Sequence, residues 1–368
     1  MSPLPRWADI ALIPVLSLVL AMIVSGIVLL FIGENPVQAM VILVKGSLGS
    51  DYGIGYTLFY ATNFIFTGLA VAIAFHASLF NIGGEGQANV AGLGVAVVCL
   101  SVLGDIHWLV AFPLAIIGAA VVGAAWAAIP AYLQAKRGSH IVITTIMFNY
   151  IAAALMIYLL NTYFKVPGSQ APESARFPQG SFIPRIDEMA GWVGIELTRT
   201  PVNISFLLAL VCCVGVWLLI WRSRLGYEIR SFGHSEKAAV YAGIRPFKIT
   251  MIALLLSGGM AGLMATNTVL GELHRLNLDS VQGAGFVGIA VALMGRNHPV
   301  GVLIAALLFG MLYQGGSELS FEMGIPRELI LTIQALVILF TGSMENLVRV
   351  PVEKIFLKLQ RDSKVEAA

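Results

Sequence analysis

Residues 10 to 32 read IALIPVLSLVLAMIVSGIVLLFI, 23 residues without a charge. A hydrocarbon core roughly 30 Å thick is crossed by about 20 mostly apolar residues in a helix, so this run is long enough to span one. It lacks a small-residue cleavage site and reads as a retained helix, not a signal peptide. Outward from it, charges and Pro/Gly clusters cut the chain into nine more apolar runs: 58–75, 88–104, 108–133, 141–161, 201–221, 249–268, 283–295, 299–314 and 329–346. The eighth and ninth are short and separated by Arg296, Asn297 and His298, so they also read as one broken element.

Composition agrees. Of the 368 residues 58% are hydrophobic and 11% charged, against about 25% charged in a soluble domain. Charge this sparse cannot cover a water-facing surface of that size, and the solvent is lipid. Lys and Arg number 22 against 20 Asp and Glu, a net charge of +2 that leaves no basic footprint for nucleic acid. Cys99, Cys212 and Cys213 lie in apolar runs without metal or disulfide spacing, and no His pair is spaced as metal ligands. No metal, cofactor or catalytic constellation is expected.

The reading is an all-α polytopic membrane protein of about ten transmembrane helices, one permease-like domain over residues 1–368. With the N-terminus inside, fifteen Lys and Arg fall on inner segments, from Arg6 through Lys136, Arg137 and the 222–248 cluster to Arg349–Lys364, and seven on outer ones. The positive-inside rule then puts both termini in the cytoplasm. Residues 162–200, with Pro167, Pro172, Pro178 and Pro184, form an outer loop; Glu272 and Asp279 flank another. Residues 222–248 form a basic inner loop.

Three local patterns carry chemistry. Asn81-Ile-Gly-Gly-Glu85-Gly-Gln87 cannot run as a lipid-facing helix, since irregular backbone in hydrocarbon must be buried in protein or line a cavity. The carboxylate of Glu85 is costly in a membrane; it either lines a pathway or caps the next helix, where the dipole favours a negative charge. Asn63, Asn149, Asn267, Gln314 and Gln334 lie within or at the ends of apolar runs and, with Asn81 and Gln87, suit either bonding between helices or a route for a polar solute. Gly283, Gly285 and Gly288 spell GxGxxG, but no strand precedes them, so they read as helix packing together with the small residues Ala284, Ala292, Gly258 and Gly262. No Gly-Lys pair exists, hence no P-loop, and ATP hydrolysis would require another subunit.

The third pattern lies in the inner loop. Ser235 is suited to N-cap a short helix, Glu236 to its first turn, and Ala238, Ala239 and Ala242 to its body, with Gly243 and Pro246 ending it. Two turns on a basic loop bury little alone and suit docking into a partner.

Taken in order, Leu79–Gln87, Lys237-Ala238-Ala239-x3-Gly243, and Gly283–Gly295 followed by Pro299 and Gly301 resemble the permease subunits of bacterial ABC importers. The resemblance covers about residues 10–346 and is strongest for the branch serving nucleosides and simple sugars. It implies a ten-helix inner-membrane subunit that pairs with a second, non-identical permease above ABC ATPase subunits and receives solute from an extracytoplasmic binding protein, which the 162–200 loop would meet. It also implies that Ser235, Lys237, Ala238, Ala239 and Gly243 belong to the helix that couples to the ATPase; the general motif has Glu where this chain has Lys237. The expected solute is a nucleoside, with a ribose-like sugar as the alternative. An ion-coupled secondary transporter, with Glu85 on a discontinuous helix, is the rival of another class.

Overall fold

The computed structural model describes residues 5, 12–102, 106–278, 280–340, 348–354 and 357. Arg6, Asp279 and the basic tail from Lys358 lie outside them. The chain is nearly all helical, and among the described residues strand pairing is limited to isolated bridges. In chain order the helices are α1 (Ile13–Ile32), α2 (Pro36–Leu48), α3 (Asp51–His76), α4 (Gly84–Val97), α5 (Trp108–Arg137), α6 (Ile141–Leu159), α7 (Ile186–Gly191), α8 (Ser205–Trp217), α9 (Arg224–His234), α10 (Glu236–Tyr241), α11 (Pro246–Gly262), α12 (Ala284–Met294), α13 (Pro299–Met323) and α14 (Arg327–Ile338). Wider π-helical turns extend α4, α6 and α8 to Val102, Phe164 and Arg222, and Thr266–Leu273 continues α11.

Among the described residues seven helical stretches are long and apolar enough to cross a membrane; α2, α12 and Leu329–Ile338 are apolar but shorter. Among the described residues each of the ten runs cut from the sequence has helix beneath it. The run 283–295 is a separate helix from the next, since Arg296 and Asn297 take positive φ values of 52° and 56° and turn the chain before Pro299 opens α13. Eleven residues at 1.5 Å each give α12 a length of about 16 Å, half a hydrocarbon core.

The chain divides into two compact units, Leu48–Tyr313 and the pair Met1–Ser47 with Gln314–Ala368. In the terminal unit, Asn35 Oδ1 accepts the backbone N–H of Val37 at 3.0 Å, a cap with Pro36 as first helical residue, so α2 starts where sequence chemistry favours a start. Its core gathers Leu29, Ala39, Ile42, Leu319, Ile330 and Ile333. One face of α1 stays bare: Val15, Val19, Ile23, Ile27 and Leu30 recur every three or four residues with 47–62% exposure. In water such a stripe is a liability; in lipid it is at no disadvantage.

The central unit is arranged the same way. Residues 61–74 of α3 are all buried; α11 and α12 pack most closely against that helix, and α4 packs on α5 and α11. α5, α6 and α8 lie outside with apolar residues such as Val121, Ile143 and Val211 exposed. Small residues permit the close packing: a side chain at Gly258 would meet Ala127 and the backbone of Gly123, so α11 and α5 touch backbone to backbone. Connections of the central unit meet in two sets. In one, the ring of His76 stacks edge-on against Trp221, its Nε2 lies 3.1 Å from Asn297 O, and Ser78 Oγ donates to Gly233 O at 2.7 Å. In the other, Arg275 pairs with Glu173 at 2.6 Å and Phe177 N donates to His274 O at 2.8 Å.

Candidate functional site

The break between α3 and α4 is completed by side chains. Residues 77–83 leave helix, and their backbone groups need partners that water does not supply in a packed interior. Asn81 Oδ1 accepts Gly83 N at 2.9 Å, and its amide nitrogen donates to Gln87 Oε1 at 3.0 Å and to Ser257 Oγ at 2.8 Å. Ser257 passes the bond on to Ala70 O at 2.6 Å. From α6, Asn149 accepts Gly86 N and donates to Ile82 O, both at 2.9 Å. Asn81 and Gln87, each 1% exposed, are therefore bonded to each other, and Asn149 holds the backbone between them.

Asn63 and Asn267 form a second network. Asn267 Nδ2 donates to Asn63 Oδ1 at 2.8 Å and to Phe59 O at 3.1 Å, while its Oδ1 accepts from Asn203 Nδ2 at 2.9 Å. Asn203, fully buried ahead of α8, is missing from the sequence reading because it sits at the boundary of an apolar run and next to a Pro-rich loop.

Glu85 stands apart from both. It lies in the first turn of α4, and its two carboxylate oxygens accept Gly283 N at 2.9 Å and Gly285 N at 2.8 Å, the leading N–H groups of α12. Two helix N-termini thus converge on one carboxylate, the arrangement in which orphan N–H groups and the dipole both favour a negative charge. The GxGxxG pattern serves this contact. Gly283 has φ +79°, and a side chain at Gly285 would strike the Glu85 backbone, while one at Gly288 would strike Thr67 of α3. Glu85→Gln keeps one acceptor but turns an amide N–H toward a backbone N–H; thermal melting of the purified protein in detergent is expected to show a loss of about 1–3 kcal/mol, and Glu85→Ala a larger one.

The short helix in the 222–248 loop forms where its sequence says. Ser235 Oγ accepts Ala238 N at 3.3 Å, α10 runs Glu236–Tyr241, and Gly243, at φ +84°, closes it with Ile244 N donating to Ala239 O at 2.9 Å. Ala239 is 3% exposed: it anchors the helix to its own chain, so of the coupling set only Ser235, Lys237, Ala238 and Gly243 face outward. The aromatic left bare is one the motif does not contain, Tyr241 at 97% exposure. α9, amphipathic and capped by Ser223 Oγ accepting Gly226 N at 3.0 Å, carries α10.

In the 162–200 loop, Ser174 N donates to Leu276 O at 2.9 Å and Ile186 N to Val202 O at 2.9 Å, and Arg185 pairs with Asp187 at 3.3 Å and Glu188 at 2.6 Å. His274 stacks on Phe182 with ring centroids 3.8 Å apart, and Arg176 covers the Phe182 ring at 5.4 Å. Burial above all holds the His274 imidazole below the usual histidine pKa; Arg176 and Arg185 add to this, and the hydrogen bond to Leu270 O opposes it. No group of three or more His, Cys, Asp or Glu is placed to hold a metal among the described residues.

Residues 53–342 match the family described as the permease component of branched-chain amino acid transport systems. The chain is 33% identical over 364 residues to a glucose ABC transporter permease of Haloferax volcanii, covering 99% of this chain and 95% of that one. It is 34% identical to a guanosine ABC transporter permease of Bacillus subtilis over 90% of this chain and 93% of that one. To a nucleoside ABC transporter permease of Lactococcus lactis it is 31% identical, with 89% and 90% covered. No solved structure matches the chain.

Proposed function

The chain belongs to the branched-chain amino acid transport permease family, and from that premise we propose that it is the permease subunit of an ATP-driven importer of nucleosides. The observation that carries the solute class is likeness along nine-tenths of the chain to permeases named for guanosine and for nucleosides. Likeness to a glucose permease along 99% of the chain keeps a simple sugar as the second reading.

In this reading the protein is one polytopic domain of a bacterial inner membrane with ten crossings, α12 and its preceding irregular segment making up one of them, and both termini cytoplasmic. The end carrying α9 and α10 faces the cytoplasm, which agrees with its Arg and Lys content. ATP hydrolysis belongs to a separate subunit, because the chain has no P-loop. A second, non-identical permease completes the pathway, and a binding protein delivers solute to the 162–200 loop. α10 is the coupling element, with Ser235 and Gly243 fixing its ends. Asn81, Gln87, Asn63, Asn149 and Asn267 hold the broken helices in register beside the route, and Glu85 joins α4 to α12 so that the two move as one.

Uptake of labelled guanosine and ribose by vesicles holding the complete importer tests this. ATP-dependent guanosine uptake is expected, with Glu85→Gln assembling normally and transporting less. Ribose uptake alone would replace the solute, and ATP-independent uptake by this chain without partners would replace the class.

A further inference from the structure

Along α3, Tyr52, Tyr56, Tyr60 and Phe64 stand four residues apart and so share one face. Their rings follow one another: centroids are 4.7 Å apart for Tyr52 and Tyr56 and 6.4 Å for Tyr56 and Tyr60. Tyr313 of α13 joins the row, 5.7 Å from Tyr60 and 4.9 Å from Phe64, and Phe309 closes it against Phe64. The row is open at one end and shut at the other. Tyr52 is 41% exposed, Tyr56, Tyr60 and Tyr313 are half-buried, and Phe64 and Phe309 are 1% and 0% exposed.

A row of core aromatics would be buried throughout, and a lipid-facing row would be apolar like that of α1. This one carries hydroxyls for as long as it stays open and phenyl rings where it closes. Its second ring, Tyr56, borders a cavity of about 320 Å³ together with Glu272, Arg176, Arg199 and His274, within the size range of small-molecule sites. Glu272 is exposed there and makes no ion pair within 4 Å among the described residues. Arg199 is exposed as well.

We infer that this cavity and the tyrosine row below it are the entry site for a nucleoside, whose base stacks on Tyr56 and then on Tyr60 and Tyr313, and whose ribose diol donates to the Glu272 carboxylate. The inference rests on the nucleoside-importer reading above. The chemistry matches the solute's two halves. Aromatic faces hold any base without regard to its edge pattern, and a carboxylate with two oxygens accepts two vicinal hydroxyls. The closed Phe64–Phe309 pair marks where the route must open for the base to pass.

The test uses the complete importer, with binding protein saturated by solute so that turnover, not capture, is read. Tyr60→Leu is expected to lower guanosine turnover about tenfold, and Tyr60→Phe, which keeps the ring face, to recover most of it. Glu272→Ala, at an exposed position, is expected to slow guanosine but not 2′,3′-dideoxyguanosine, which has no diol to lose. A cysteine in place of Tyr56 should react with an impermeant thiol reagent added outside and be protected by guanosine. Wild-type importer that moves no nucleoside overturns the functional reading. Wild-type importer that moves guanosine, with Glu272→Ala slowing both solutes equally or neither and the Tyr56 cysteine unprotected, overturns the entry site.

Discussion

Valine at position 285 is expected to leave little folded protein. The Cβ it adds would fall on the backbone nitrogen and Cα of Glu85, atoms that no rotamer change can move aside. α12 must then back away from α4, and the two bonds from Gly283 N and Gly285 N to the Glu85 carboxylate go with it. Overpacking costs about 1–3 kcal/mol, and each lost charge-assisted bond about 1.5–3 kcal/mol, against a total stability of about 5–15 kcal/mol. Gly215 of α8 is the matched control. A side chain there meets nothing within 4 Å, so Gly215→Val should leave the protein intact. Thermal unfolding followed by size-exclusion in detergent reads both; a Gly285→Val protein as heat-stable as the Gly215→Val protein would refute the tight α4–α12 contact.

That contact marks where sequence reasoning stops. Apolar length is a local property, so the ten runs could be cut from the chain alone, and each has helix under it. Helices of low apolar length escaped: α2, interrupted by Gln38 and Lys45, and α9, whose two glycines and three charges look like loop. In α9, Gly233 is required because a side chain would strike the backbone of His76. Capping is equally local, which is why Ser235 and Gly243 could be assigned to the two ends of α10.

Partners distant along the chain are another matter. The two readings left open for Glu85, pathway or cap, could not include what the structure shows, a carboxylate in the first turn of α4 whose hydrogen bonds go to a different helix 198 residues away. The missing strand before GxGxxG sets aside a pyrophosphate site, but nothing local says what its backbone N–H groups meet instead, and here it is the Glu85 carboxylate. The amides could be picked out as a class, but not paired, since nothing local couples Asn63 to Asn267 or Asn81 to Ser257.

The same limit applies to α10, and it sets the second large effect. A six-residue helix is too short for periodicity to say which side faces inward, and the structure turns Ala239 in and Tyr241 out. Tyr241→Asp should therefore fold like wild type, since at 97% exposure the ring contributes almost nothing to the chain's own packing. In the importer its effect should be severe. An aromatic anchor in a partner's groove is worth about 2 kcal/mol or more, and a carboxylate forced into that groove is unpaired, so loss of the ring alone implies at least tenfold weaker coupling. Val240, 49% exposed beside it, extends the same surface. Ala239→Asp makes the contrast: its charge would be buried against its own chain, lowering the melting temperature of the isolated permease before any partner is added. Measuring solute-stimulated ATPase activity alongside thermal stability separates the two. Tyr241→Asp should give wild-type stability with ATPase activity at its unstimulated level, and Ala239→Asp should give a less stable permease. A Tyr241→Asp importer whose ATPase still responds fully to solute would show that α10 docks through some other face, or that the coupling contact lies elsewhere on the 222–248 loop.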